Sequence, residues 1–264
     1  FETHDNSSFD STGLGDLGYS FRSAIHETGH AIGLSHPFGD GSSVTNTALP
    51  DDLDIMRNTV MSYTNTDRNR LLDITITNSD GSTDEYRYNE IENIDTSDMV
   101  SYGASVTSLS ASTPMVYDIL AGQFLYGAAE DTRTGDNSYT FADDAPQTIQ
   151  TIYDSDGTDT IDASGQSRSS DINLNAGSFS SIGIFSVTDQ LAVLEQKLGA
   201  SAATNINDNY LETSFDNRSD ATSDDMSATS VLYSGVDNVA IAYGVEIENA
   251  YGGSADDTIT GNNL

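Results

Sequence analysis

The stretch "HETGHAIGLSH", residues 26 to 36, holds three of the four histidines in a chain of 264 residues. Two imidazoles four residues apart on a helix project from the same side, close enough to share one cation at about 2.0–2.1 Å. Glu27, beside the first, is angled away from the metal yet can reach a water on it. Gly33 accepts backbone angles that a side chain forbids, so the helix can stop and the chain can reverse, bringing His36 back as a third ligand. Three protein ligands leave one position for water, whose pKa zinc lowers to about 7. Glu27 then acts as general base while that water attacks a carbonyl, and hands the proton to the leaving amine. The chemistry this spacing encodes is metal-assisted hydrolysis of an amide. Helix-surface or core histidines without a metal would account for a bare HExxH. They account poorly for the five fixed positions of H-E-x-x-H-x-x-G-x-x-H. His4, outside the pattern, reads as a surface residue.

A helix must present these ligands, and "YSFRSAIHETGHAIGLSH" predicts one. Phe21, Ala24, Ile25, Thr28, Ala31 and Ile32 fall on its packing side, with His26 and His30 together on another. Residues 64–112 are polar, and within them "LLDITITNSDGSTDEYRY" predicts a hairpin turning at "NSDGS". A second helix is expected in "STPMVYDILAGQFLYG", with Thr113 as cap, Pro114 in the first turn, Gly127 as terminator and Val116, Ile119, Leu120 and Phe124 as its core stripe. After Gly127 short β-like runs alternate with turns of Gly, Asp and Asn, which predicts a sandwich or a coiled roll. "SVTDQLAVLEQKLGAS" interrupts them with a short helix from a Thr188 cap to Gly199, and residues 201–230 read as a long surface loop.

The balance of 9 Lys and Arg against 42 Asp and Glu gives a formal net charge of −33, which excludes nucleic-acid binding because a phosphate backbone would be repelled. Such an excess destabilises a compact fold by self-repulsion unless bound cations neutralise part of it or the surroundings are highly saline. Cysteine is absent, so thiolate catalysis, thiolate zinc sites and disulfides are excluded. No apolar run reaches the roughly 20 residues of a membrane helix. The chain opens on Phe1 without a leader, which reads as a piece of a longer protein.

The eleven-residue motif matches the metzincin zinc signature, and "TVMSYTN" resembles that class's methionine turn, with Met61 beneath the zinc. "GHAIGLSHP", "TVMSY", "DILAGQFLYGA" and "IENAYGGS" together resemble the serralysins, secreted zinc endopeptidases whose catalytic domain is followed by a calcium-binding parallel β-roll. The resemblance runs in patches from Arg22 to Asn263. It implies an α+β chain: a metzincin-like zinc catalytic domain over 1–127, lacking its N-terminal upper sheet, then a truncated calcium-binding β-roll or β-sandwich over 128–264. It also implies that Tyr63 is a further zinc ligand that swings away to stabilise the tetrahedral transition state.

"TRTGDN" and "YDSDGTDTID" resemble the family's calcium-binding segments. Arg133, Gly135 and Asn137 would then contribute oxygens along with Asp154, Asp156, Gly157 and Asp159, and Glu246 and Glu248 match the acidic pair before the roll. "GGSADDTIT" matches the nonapeptide calcium repeat, with Gly252 and Asp257 in place and Ile259 inward, although Ala255 stands where the repeat has glycine. The stretches around 64–112 and 185–235 are longer than the family pattern. The partners implied are protein or peptide substrates, a proteinaceous inhibitor, and a second chain supplying the missing N-terminal part; the location implied is extracellular. Two other readings stay open: a non-catalytic calcium-dependent binding or structural fragment that retains the zinc site, and a metzincin of another branch.

Overall fold

The computed structural model describes residues 14–38, 48–64, 69–143, 147–212 and 232–263. The chain is mixed helix and sheet and forms two compact units. One is assembled from Phe1–Thr66, Leu109–Ile184 and Gly235–Leu264, the other from Asp67–Ser108 and Phe185–Ser234. The change of character at Gly127 falls inside the first unit. His4 and residues 213–230 of the expected loop lie outside the described residues.

In the first unit α1 (Leu14–Ala31) carries the zinc motif. Its packing side is not the expected one. Phe21 and Ile32 are 42% and 41% exposed, and the buried positions are Arg22, His26 and Gly29, spaced four and three apart. The helix therefore packs through its ligand-bearing face, and small residues there admit close neighbours.

Helix α2 (Val116–Tyr126) ends at Gly127, whose φ of 86° suits glycine, as expected. Its start differs from expectation. The residue at the cap is Met115, whose N–H donates to the Asp118 carboxylate at 2.8 Å. The Thr113 hydroxyl instead accepts the Thr151 N–H at 2.8 Å, because a strand N–H competes successfully for it. Of the expected core stripe, Val116 is buried and Ile119 packs on the core, but Leu120 and Phe124 are 41% and 88% exposed.

The strands beyond α2 are β4 (Ser138–Ala142), β5 (Gln150–Ile152), β6 (Thr160–Gly165), β7 (Asp171–Asn173), β8 (Phe179–Ser180), β9 (Val239–Ile241), β10 (Asn249–Tyr251) and β11 (Thr258–Thr260). They pair in parallel as β10–β6–β4, β11–β7 and β5–β9, with β8 antiparallel to β9. Successive strands β4, β5, β6 and β7 enter different sheets in turn, so each apolar side chain points into a shared interior. Ile152, Ile161, Ile172, Val239, Ile241 and Ile247 are at most 2% exposed there, each contributing about 1.5–3 kcal/mol by leaving water. Ile259, expected inward, is 47% exposed because β11 has a strand neighbour on one side only.

The second unit is built from the two stretches that exceed the family pattern. The predicted hairpin forms between β1 (Arg70–Asn78) and β2 (Thr83–Tyr86), and β3 (Met99–Ser108) pairs with the other edge of β1. Alternation along β1 buries Leu72, Ile74 and Ile76 completely. Helix α3 (Val187–Leu198) ends at Gly199 as expected. Its cap, however, is Ser186, whose oxygen accepts the Asp189 N–H at 3.1 Å, two residues before the expected Thr188. Residues expected to be loop form α4 (Ala200–Ile206), continued by wider helical turns to Glu212; Ala202, Ala203 and Ile206 are buried on one face. The two segments join where Tyr233 donates its N–H to the Arg70 carbonyl and Lys197 reaches the Ile94 carbonyl. Among the described residues no helix is long and apolar enough to cross a membrane.

Candidate metal centre

The end of α1 decides where the third histidine goes. The Leu34 N–H donates to the Gly29 carbonyl at 2.9 Å and the Gly33 N–H to the His30 carbonyl at 3.0 Å, while Gly33 adopts φ 95°. This is the Schellman termination, which needs a residue tolerant of the left-handed region. It turns the chain so that His36 returns over the helix.

The three ring nitrogens then converge. His36 Nε2 lies 3.1 Å from His30 Nε2 and 3.3 Å from His26 Nε2. Nitrogens bound tetrahedrally to one ion at about 2.0–2.1 Å stand about 3.3–3.4 Å apart, so the donor set fits a zinc ion. The opposite ring nitrogens of two ligands are also assigned. His26 Nδ1 lies 2.8 Å from the Val60 carbonyl and His30 Nδ1 lies 2.9 Å from the Leu34 carbonyl. Carbonyls only accept, so both Nδ1 atoms carry protons and both Nε2 lone pairs face the centre. Glu27 sits on α1 between them in sequence and is exposed.

Beneath the histidines the segment from Thr59 to Ser62 is buried throughout, and Met61 is 2% exposed. A Cβ on Gly29 would stand 2.5 Å from the Met61 sulfur, which explains why the residue before His30 is glycine. Gly29→Ala is expected to cost about 1–3 kcal/mol through overpacking and to weaken zinc binding. Thermal unfolding and a zinc titration check this; an unchanged midpoint and affinity contradict it.

Tyr63 is 59% exposed, its ring stacked on His26 with centroids 5.6 Å apart and tilted by 53° against His36 at 4.6 Å. Phe38, which the sequence reading passed over, stacks on His36 at 4.8 Å with only 10° between the rings. An aromatic two residues after the last histidine was the available signal. The reading also named no specificity pocket. A cavity of about 230 Å³ opens beside His36, lined among others by Leu34, Leu49, Met61, Tyr117 and Ala121. Asp118 lies at its inner side, 6% exposed. Burial raises its carboxyl above the usual range, and hydrogen bonds from Thr59, Val60 and Met115 oppose that shift.

The acidic half forms a second constellation. Asp154, Asp156, Gly157, Glu246 and Glu248 line a polar cavity of about 130 Å³. Asp159 joins it by donating its N–H to Glu248 at 2.6 Å and accepting the Asn137 N–H at 2.8 Å. Gly135 is placed by its carbonyl, 2.6 Å from where a Gly157 Cβ would be, so a side chain at Gly157 would fill the cradle. The buried Asn137 Oδ1 has no hydrogen-bond partner. Burial, with Asp154, Glu248 and Asp136 nearby, raises the Asp159 carboxyl above its usual range. Arg133 is joined to this group only through Tyr139, whose hydroxyl donates to Asp154 at 2.6 Å. Gly252 and Asp257 form a separate pair, with the Asp257 carboxylate accepting the Ser170 N–H at 2.7 Å.

The chain is similar to several known proteins. A family model described as "Peptidase M10 serralysin C terminal" matches residues 115–206. The chain is 28% identical over 263 aligned residues to "Metallopeptidase AprA" of Pseudomonas marginalis, covering 93% of the chain and 38% of that protein. It is 33% identical over 180 residues to "Serralysin C" of Dickeya chrysanthemi and 32% over 179 to "Serralysin" of Proteus mirabilis, covering 62% of the chain and 30% of each relative. The chain thus spans 30% to 38% of the length of these relatives. The relatives are named as metallopeptidases and serralysins, and the chain shares with them the stretch that carries the histidine cluster and the methionine beneath it. The family model and these relatives both make the chain similar to the serralysins.

Proposed function

We propose that this chain is the zinc-bearing and calcium-binding part of a secreted endopeptidase, with residues 1–127 supplying the catalytic groups and 128–264 the calcium sites. The observation that carries the reading is the convergence of the three Nε2 atoms 3.1 and 3.3 Å apart with a glutamate beside the first ligand. When bound, zinc supplies a Lewis acid that polarises a carbonyl and acidifies water.

The chain's own residues do the rest. Glu27, exposed beside the centre, takes the proton of the attacking water and returns it to the departing amine. Tyr63, whose ring lies beside those of His26 and His36, is a zinc ligand that swings away and donates toward the developing oxyanion. The cavity beside His36 receives a substrate side chain, and its largely apolar lining favours an apolar one. Filling it tests this: Ala121→Leu is expected to lower kcat/KM about tenfold or more for peptides with a bulky side chain next to the scissile bond. Equal loss for small and bulky side chains would argue against the assignment.

Oxygens of Arg133, Gly135, Asn137, Asp154, Asp156, Gly157, Asp159, Glu246 and Glu248 are proposed to bind calcium in the first acidic constellation, and Gly252 and Asp257 in the second. Calcium takes six to eight oxygens, and the partnerless Asn137 Oδ1 supports the first site.

The function is tested by incubating the protein with casein. Hydrolysis should be lost with a zinc chelator and restored by one equivalent of zinc. Full zinc occupancy without hydrolysis would instead support a non-catalytic, calcium-dependent role.

A further inference from the structure

We propose that Asp118 is a positioning residue for His26, acting through one peptide plane of the methionine turn. The inference rests on reading the three histidines as a zinc site.

Asp118 stands in the first turn of α2, 58 residues along the chain from Val60. Its Oδ2 accepts two backbone N–H groups, from Met115 and from Val60, each at 2.8 Å. Its Oδ1 accepts the Thr59 hydroxyl at 2.6 Å, and the same hydroxyl oxygen accepts the Met61 N–H at 3.1 Å. Capping α2 requires only the Met115 bond. The other bonds reach into the turn under the histidines.

The Met61 N–H and the Val60 carbonyl belong to the same planar peptide unit, and in a trans peptide they point in opposite directions. Thr59, held by Asp118, pins the N–H side of that plane. The carbonyl on its other side accepts the His26 Nδ1 proton at 2.8 Å. The connection runs from carboxylate to hydroxyl, to peptide plane, to imidazole. It fixes both the tautomer and the tilt of the His26 ring. His30 needs no such support, because its acceptor, the Leu34 carbonyl, is set by the termination of its own helix. His26 is buried and depends on a carbonyl 34 residues away. Hydrogen bonds to an ionised carboxylate are stronger than neutral ones, which suits a group that must hold a turn in register.

The decisive variant is Thr59→Val, which keeps the shape and leaves the Asp118 bonds to Met115 and Val60 in place. Zinc affinity is measured by competition with a chromophoric chelator, and the His26 Nδ1 proton is followed by NMR. Thr59→Val and Asp118→Ala are expected to weaken zinc binding about 10–100-fold and to shift or broaden that proton, as loss of an outer hydrogen-bond partner does. Asp118→Asn can still accept the two N–H groups with its oxygen and donate to the Thr59 oxygen, so it should bind zinc nearly as the parent does. Parent-like affinity and an unchanged His26 proton in Thr59→Val would overturn the proposal, as would Asp118→Asn losing as much as Asp118→Ala. If Asp118→Ala does not fold, Thr59→Val decides alone. The comparison is independent of turnover: a parent that holds zinc without cleaving peptides defeats the proposed function while the affinities still test Asp118. A parent that holds no zinc defeats both.

Discussion

Glu27→Ala should keep one zinc per chain and lose peptide hydrolysis by about 10²–10⁴-fold. Both halves of that expectation follow from where the residue sits. In the proposed function the metal's donors are the three imidazole nitrogens, two of them oriented by carbonyls of Val60 and Leu34, and none of those bonds involves the glutamate. What the substitution would then remove is the proposed base, which accepts the proton from the attacking water and delivers it to the amine. Turnover measured on a protein substrate, with zinc counted in the same samples, checks it. Turnover within a factor of a few of the parent would refute the assigned base, and loss of zinc with activity would reassign Glu27 to holding the site.

The second large effect is expected from removing calcium. If calcium fills the proposed site, a calcium-selective chelator leaves Asp154, Asp156, Glu246 and Glu248 facing one cavity without a counter-ion, with Asp159 bonded to Glu248 beside them. A ligand at a thousandfold its Kd stabilises by about 4 kcal/mol. For a protein of this size that corresponds to roughly 8–16 °C in Tm. The effect should depend on pH. Asp159, raised above its ordinary 3.8 by burial and by its acidic neighbours, binds its proton more tightly in the ion-free folded state than when unfolded. Stability of the ion-free protein therefore falls as pH rises through that group's folded pKa, the reverse of a salt-bridged carboxylate. Calcium takes the proton's place, so its stabilisation should be large at neutral pH and small near pH 4. Unfolding scans at both pH values, with and without calcium, test this; a midpoint indifferent to chelation at neutral pH would contradict the calcium assignment.

The parts legible in the sequence were those set by local rules. The zinc motif is one helix and one reversal, and Gly33 terminates it with the positive φ that its spacing called for. Gly127 and Gly199 close their helices for the same reason. Helix starts were less legible, because a hydroxyl near a cap has rivals: Thr113 is taken by Thr151, 38 residues on, and Ser186 caps α3 two residues before the expected Thr188. Periodicity also misjudged which side of α1 is buried. Its apolar stripe is exposed at Phe21 and Ile32, whereas the contact face uses Gly29 to admit Met61.

Long-range pairings were not legible at all. Nothing near Asp118 announces that it bonds to Thr59 and Val60, and nothing in the two longer-than-expected stretches announces that Arg70 and Tyr233 join them into one unit. The acidic turns drew a calcium reading only through their resemblance to serralysin segments. The gathering of Asp154, Asp156, Glu246 and Glu248 around one cavity depends on parallel strand pairing across roughly 90 residues, as in the Asp159 to Glu248 bond with a separation of 89.

The claim on which the account depends is that the histidines are scarce elsewhere because these three are ligands to one metal. X-ray absorption at the zinc edge, on protein loaded with one equivalent of zinc, tests it most directly. The account predicts three imidazole nitrogens at about 2.0–2.1 Å with light-atom donors completing the shell, and no tight zinc binding in a His36→Ala variant. A shell dominated by carboxylate oxygens, or zinc held equally tightly without His36, would contradict it.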